Sequence, residues 1–165
     1  MAEEQLKLLK AHIPPFGVYG SPRRNTALNK RYRHTGIDIY GPIGTPIIAA
    51  EKGKIFTTYK EIDSPRAGNT IELLGEKCMT RYLHLETIKV DKGANVEAGE
   101  TIGTLGITGN AKYARLWIIR CEDQAQGRSH LHFEAREREN ANNALDPLIL
   151  IEENRIAIPV DVFFF

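Results

Sequence analysis

The sequence predicts a mainly β fold, an antiparallel sheet closed into a sandwich or barrel, with one short helix at the N-terminus. Three observations predict it. Short apolar runs recur along the chain where long helical periods would otherwise be expected. Glycine-rich turn signals separate these runs, at 40–44, 64–68 and 106–110. Composition does not change along the 165 residues, so a single domain is expected, with an N-terminal extension over 1–15, a core over 16–150 and a C-terminal extension over 151–165.

Leu6, Leu8 and Leu9 on a charged background mark the short amphipathic helix, over 3–12, and Pro14 with Pro15 stops it. Strands are expected at 17–19, 36–40, 46–50, 53–59, 69–74, 79–84, 101–105, 116–120 and 130–136. A helical interruption is expected at 85–88, and another beginning near Asp146 and Pro147, where proline suits a first helical position. Between 90 and 106, apolar residues alternate with glycines in a run that suits tight turns between very short strands. Similar runs occur in lipoyl and biotinyl carrier domains and in duplicated-hybrid-motif barrels.

Bulk properties exclude several classes. A formal charge of +1 provides no field for nucleic acid or an anionic membrane surface. No stretch approaches the roughly 20 apolar residues of a membrane span. The first ten residues are charged and too short in apolar run for a signal peptide. Cys78 and Cys121 lack CxxC spacing and are expected to be two buried free thiols.

Four of the five histidines fall into three clusters. The first is His34 and Asp38, flanking Gly36. Fully extended, positions 34 and 38 lie roughly 13 Å apart, too far for two ligands to share an ion with bonds of about 2 Å. Gly36 lets the chain bend and removes a side chain from the gap. The second cluster is His130, His132 and Glu134, on one face of a strand whose Leu131 and Phe133 point into a core. The third is His84, in RYLHL at 81–85. Three ligands drawn from His and Asp with one coordination position open are what a catalytic zinc site needs. Spacing does not say whether His130 or His132 is the ligand.

Taken in order, HTGID at 34–38, GTPI at 44–47, GNTI at 68–71, RYLHL at 81–85, GETIG at 99–103, GITG at 106–109 and HLHFE at 130–134, followed by Asp146 and Pro147, resemble the lysostaphin or LytM-type zinc metallopeptidases. The resemblance implies a duplicated-hybrid-motif fold and a peptidoglycan endopeptidase that hydrolyses peptide cross-links of the bacterial wall. It implies Zn2+ held by His34, Asp38 and His132, with His84 and His130 in the catalytic roles. Glu134 shares the face of the histidines and could orient one of them. Relatives cut pentaglycine bridges or the D-alanyl–diaminopimelate cross-link. The expected partner is a peptidoglycan peptide stem, the expected state a monomer, and any immunity or delivery partner is unknown.

Two departures from the family pattern stand out. The segment between 110 and 129, with Arg115, Trp117, Arg120 and Arg128, is longer than in typical members, and an enlarged loop beside the groove would contact substrate. No signal peptide or wall-binding module is visible, so the expectation is a chain made in the cytoplasm that acts in the periplasm or wall as a lysin or delivered antibacterial effector. Two alternatives differ in class. A non-catalytic module or hydrolase activator would have lost ligands, and all five residues are present. A carrier or phosphotransfer domain would need a modifiable lysine beside methionine at a hairpin tip, and none is found.

Overall fold

The computed structural model of the protein describes residues 3–25, 28–116 and 127–165. Helix α1 (Glu3–Ala11) comes first, followed by a 3-10 turn (Pro15–Gly17). The strands are β1 (Pro22–Asn25), β2 (Lys30–Arg33), β3 (Ile37–Tyr40), β4 (Pro46–Ile48), β5 (Gly53–Tyr59), β6 (Asn69–Gly75), β7 (Cys78–Ile88), β8 (Asn95–Val96), β9 (Thr101–Leu105), β10 (His130–Glu137) and β11 (Ala144–Leu145). Helix α2 (Pro147–Glu152) follows β11. The mainly β, antiparallel fold class is the one expected.

Among the described residues, β3 to β11 form one antiparallel sheet, with β11, β10, β7, β6, β5 and β8 as neighbours in that order. Strand β3 pairs with β10, and β9 pairs with both β4 and β7. Strands β1 and β2 form a separate hairpin. Alternation explains the core. On β10, Leu131, Phe133 and Ala135 are fully buried on one face, joined by Ile37 and Ile39 of β3 and by Ile71, Leu73 and Tyr82. The opposite face of β3 and β10 is left for Asp38, His130, His132 and Glu134.

Several expectations are corrected. No strand forms at 17–19: a 3-10 turn (Pro15–Gly17), closed by Gly17 N–H donating to the Pro14 carbonyl at 2.8 Å, runs into a further turn there. Pro15, with φ preset and no amide donor, suits that turn better than a ladder. The β1–β2 hairpin was not expected, because its exposed arginines and lysine lack an apolar alternation. No helix interrupts 85–88. The strand kinks at His84, which takes φ +67°, and then continues by pairing with β9, Leu85 opposite Leu105 and Ile88 opposite Gly103. The glycine run makes that pairing possible, since a Cβ on Gly106 would lie 2.4 Å from the Glu86 nitrogen.

Helix α2 begins as expected, with Pro147 in its first turn and the Asp146 carboxylate accepting from Leu148 N–H at 3.0 Å. Cys78 is a buried free thiol, with burial and the nearby Glu51 carboxylate pushing it up to about 12. Cys121 and nearly all of the strand expected at 116–120 lie outside the described residues, as do Trp117 and Arg120. No helix among the described residues is long and apolar enough to cross a membrane.

Candidate metal and catalytic site

Register places the site. In the β3–β10 ladder His132 stands opposite Asp38 and His130 opposite Tyr40, and in the β10–β7 ladder His132 stands opposite Leu83, one residue before His84. His34 precedes β3 and folds back across Gly36. A Cβ on Gly36 would lie 2.3 Å from the Phe133 carbonyl oxygen, so close approach to β10 is what requires glycine there. The two side chains that would stand roughly 13 Å apart in a straight strand bring His34 Nε2 to 3.2 Å from Asp38 Oδ1.

Three candidate donor atoms converge. His34 Nε2 is 3.1 Å from His132 Nδ1, and His132 Nδ1 is 2.9 Å from Asp38 Oδ1. Tetrahedral coordination with bonds of about 2.0–2.1 Å separates donors by about 3.3 Å, close to this triangle. Hydrogen bonds set the proton positions. His34 Nδ1–H donates to the Val18 carbonyl at 3.0 Å, leaving Nε2 with a lone pair. His132 Nε2–H donates to Glu134 Oε1 at 2.8 Å, which turns Nδ1 toward Asp38 Oδ1. Nε2 of His34 and Nδ1 of His132 thus both face the triangle, which is the orienting arrangement metal-ligating histidines use. The triangle contains His132. His130 stays outside it, with Nε2 3.8 Å from Asp38 Oδ1.

The electrostatics favour a positive charge at this point. Burial opposes ionisation of Asp38, but His130, His132 and His34 outweigh it and hold the carboxyl well below the usual range. Burial disfavours charge on His132 as well, yet hydrogen bonds to Asp38 and Glu134 raise it to about 9. The carboxylates that favour positive charge on His132 would equally favour a cation at the triangle.

His84 and His130 are prepared differently. His84 Nδ1–H donates to the Thr108 carbonyl at 3.0 Å, and His130 Nδ1–H to the Arg128 carbonyl at 2.9 Å. Each therefore keeps Nε2 as a lone-pair acceptor. Burial pushes both below the ordinary histidine value, most strongly His84. Their ring centroids are 4.9 Å apart, and His130 stacks on Tyr40 at 4.8 Å. The positive φ of His84 is backbone strain of about 1–3 kcal/mol, of a kind that clusters at functional sites.

Glu134 is 3% exposed and not solvent-facing. It accepts from His132, from Thr35 Oγ1 at 2.8 Å, from Arg81 Nη1 at 2.9 Å and from Arg136 Nε at 2.7 Å. Burial works against its charge, but these donors hold it far below the usual carboxylate range. Sequence reasoning missed Arg23, whose Nη2 donates to Asp38 Oδ2 at 2.8 Å. Nothing in the local pattern marks it. Arg136 carried a signal, the period of two that places 132, 134 and 136 on one face. The site opens into a groove of ≈1040 Å³ lined by its histidines, Asp38 and Glu134 together with Phe16, Arg24, Tyr32, Arg66, Tyr113 and Arg115.

The profile described as Peptidase family M23 matches residues 32–147, which includes the donor triangle, His84, His130 and Glu134, while Phe16, Val18, Arg23 and Arg24 precede it. The chain is 42% identical over 90 residues to the peptidoglycan DD-endopeptidase ShyA of Vibrio cholerae, covering 53% of this chain and 20% of that protein. It thus spans about a fifth of that relative's length. A zinc-containing peptidase from Vibrio cholerae superposes with TM-score 0.62 at 30% identity, covering 84% of this chain and 37% of that one. The catalytic domain of the antimicrobial peptidase lysostaphin from Staphylococcus simulans superposes with TM-score 0.65 at 27% identity, covering 89% of this chain and 97% of that one.

Proposed function

The chain belongs to peptidase family M23, and from that premise we propose that it is a zinc-dependent endopeptidase hydrolysing peptide cross-links of the bacterial cell wall. The observation that carries the reading is the triangle of His34 Nε2, Asp38 Oδ1 and His132 Nδ1, with edges of 2.9 to 3.2 Å. Two imidazoles and one carboxylate suit zinc, and three protein donors leave one position for water or substrate. Bound there, zinc would supply Lewis acidity and a water whose pKa lies near neutrality.

His130 and His84 then do the proton work. Each presents an unprotonated Nε2, so either can take up the proton of the attacking water. The histidine that has done so becomes a donor, able to stabilise the oxyanion on the scissile carbonyl and to return the proton to the leaving amine. Tyr40, stacked on His130, and the Thr108 and Arg128 carbonyls keep both rings in place during the exchange. Glu134 holds His132, and Arg23 takes the outer oxygen of Asp38, leaving Oδ1 for the ion.

The place of action follows the substrate: the periplasm or wall, reached by lysis or by delivery as an antibacterial effector, with the protein acting as a monomer. The test is to measure bound zinc and then to incubate the protein with defined muropeptides, identifying new termini by mass spectrometry. One zinc per chain and cleaved cross-links are expected, with both lost in His34→Ala. Absence of stoichiometric zinc in the wild type would sink the reading. Zinc without cleavage would leave a non-catalytic module of the same fold.

A further inference from the structure

Resting on that reading, we infer that Arg24, Arg66 and Arg115 make the groove selective for a carboxylate-bearing peptide over an uncharged one such as a glycine bridge. Among the described residues the groove is lined by five arginines and two carboxylates. Both carboxylates are committed. Asp38 binds Arg23, and Glu134 binds Arg81 and Arg136. Arg24, Arg66 and Arg115 are exposed, and no described carboxylate pairs with any of them. Arg24 donates to the Asn29 side chain at 2.8 Å, and the Arg115 guanidinium lies 5.4 Å over the Phe16 ring. Glu61, on the segment leading to Arg66, is taken up by Lys112 and the Gly109 amide. The whole chain carries only +1, so this excess among the described residues is local to the groove.

Placement ties each arginine to the catalytic centre. Ala67, next to Arg66, accepts the His84 amide at 3.0 Å, and the Asn110 amide fixes the Arg66 carbonyl at 2.9 Å. The Arg115 carbonyl accepts from Tyr40 Oη at 3.1 Å, and the Tyr40 ring stacks on His130. Arg24 follows Arg23, which touches Asp38. Three different segments thus each bring an arginine to the groove that holds these histidines. A guanidinium fork matches a carboxylate in two parallel hydrogen bonds. The peptide stems of a direct cross-link carry free carboxylates on either side of the bond, whereas a glycine bridge carries none. Charges on a groove rim act mainly on encounter and binding, so the preference belongs in KM.

The test compares three substrates: a cross-linked stem peptide with free carboxylates, the same peptide with those carboxylates amidated, and an oligoglycine bridge. Each Arg→Gln change should raise KM for the carboxylate peptide roughly two- to fivefold. The triple variant (Arg24→Gln, Arg66→Gln, Arg115→Gln) should bring its KM to that of the amidated peptide. The difference should shrink as salt approaches about 1 M, where screening is short-ranged. A control triple variant, Lys54→Gln, Lys89→Gln and Lys92→Gln, removes the same charge from exposed sites off the groove and should keep the preference. Equal KM for free and amidated peptides in the wild type, or loss of the preference in the lysine control, overturns the inference. Binding of the same peptides to the zinc-loaded His130→Ala variant, read by calorimetry, separates the two claims. Preferential binding of the carboxylate peptide with no hydrolysis by the wild type upholds the groove's selectivity and sinks the endopeptidase reading. Hydrolysis with no preference does the reverse.

Discussion

Four hydrogen-bond donors from three segments meet on the two oxygens of Glu134. One of them is the Nε2–H of His132, whose other nitrogen faces the donor triangle. The three remaining donors fix the carboxylate, so that it can fix the ring. Arg23 does the equivalent for Asp38 by occupying Oδ2. Glu134→Ala should therefore weaken zinc binding about 10- to 100-fold, the usual effect of removing the group that orients a metal-ligating histidine. Arg136 would also lose its carboxylate partner, and Arg81 would keep only Glu72, at 3.4 Å. Glu134→Gln retains a carbonyl acceptor for the imidazole and should fall between wild type and alanine. Competition against a chromophoric chelator reads both. Wild-type affinity in Glu134→Ala would mean that β10 alone holds the His132 ring.

At the scale of elements, the β3–β10 ladder is the structural unit that makes the site, and Gly36 is where it is most constrained. A methyl group there would sit 2.3 Å from the Phe133 carbonyl and 3.0 Å from Glu134 Cγ, so one strand must move. Gly36→Ala should cost about 1–3 kcal/mol, in the range of overpacked interiors, and should lower zinc affinity in parallel. Gly20→Ala is the contrast: no atom lies within 4 Å, its φ is +77°, and only strain is expected, with zinc affinity kept. Thermal unfolding and chelator competition on both variants check this. The core strands were legible because Leu131, Phe133 and Ala135, like Ile37 and Ile39, alternate against polar neighbours. The β1–β2 hairpin was not, since arginine and lysine mark no buried face, and with it went Arg23. The continuation of β7 past His84 was missed because a positive φ at histidine leaves no trace in a propensity. Residue types and spacing indicated a metal site. The choice of His132 over His130 rested on family resemblance, because both share one face of β10 and only the facing strand distinguishes them.

For the whole molecule, the site is a clasp between distant parts of the chain. His34 and Asp38 lie 98 and 94 residues from His132, and nothing in the unfolded chain holds them together. An ion that binds the folded state alone therefore adds its binding free energy to stability. At free zinc a hundredfold above the dissociation constant the gain is about 2.7 kcal/mol. In a chain of this size each kcal/mol moves the midpoint by roughly 2–4 °C, so stripping zinc with a chelator should lower Tm by about 5–10 °C. Readdition of zinc should restore it. His34→Ala should unfold at one temperature with or without zinc, because two remaining donors cannot close the clasp. Calorimetry on the two proteins, each with chelator and with zinc, decides it. A zinc-dependent shift that persisted in His34→Ala would place the stabilising ion somewhere other than this triangle, and a wild type with no shift would mean that β3 and β10 are held by their ladder and core alone.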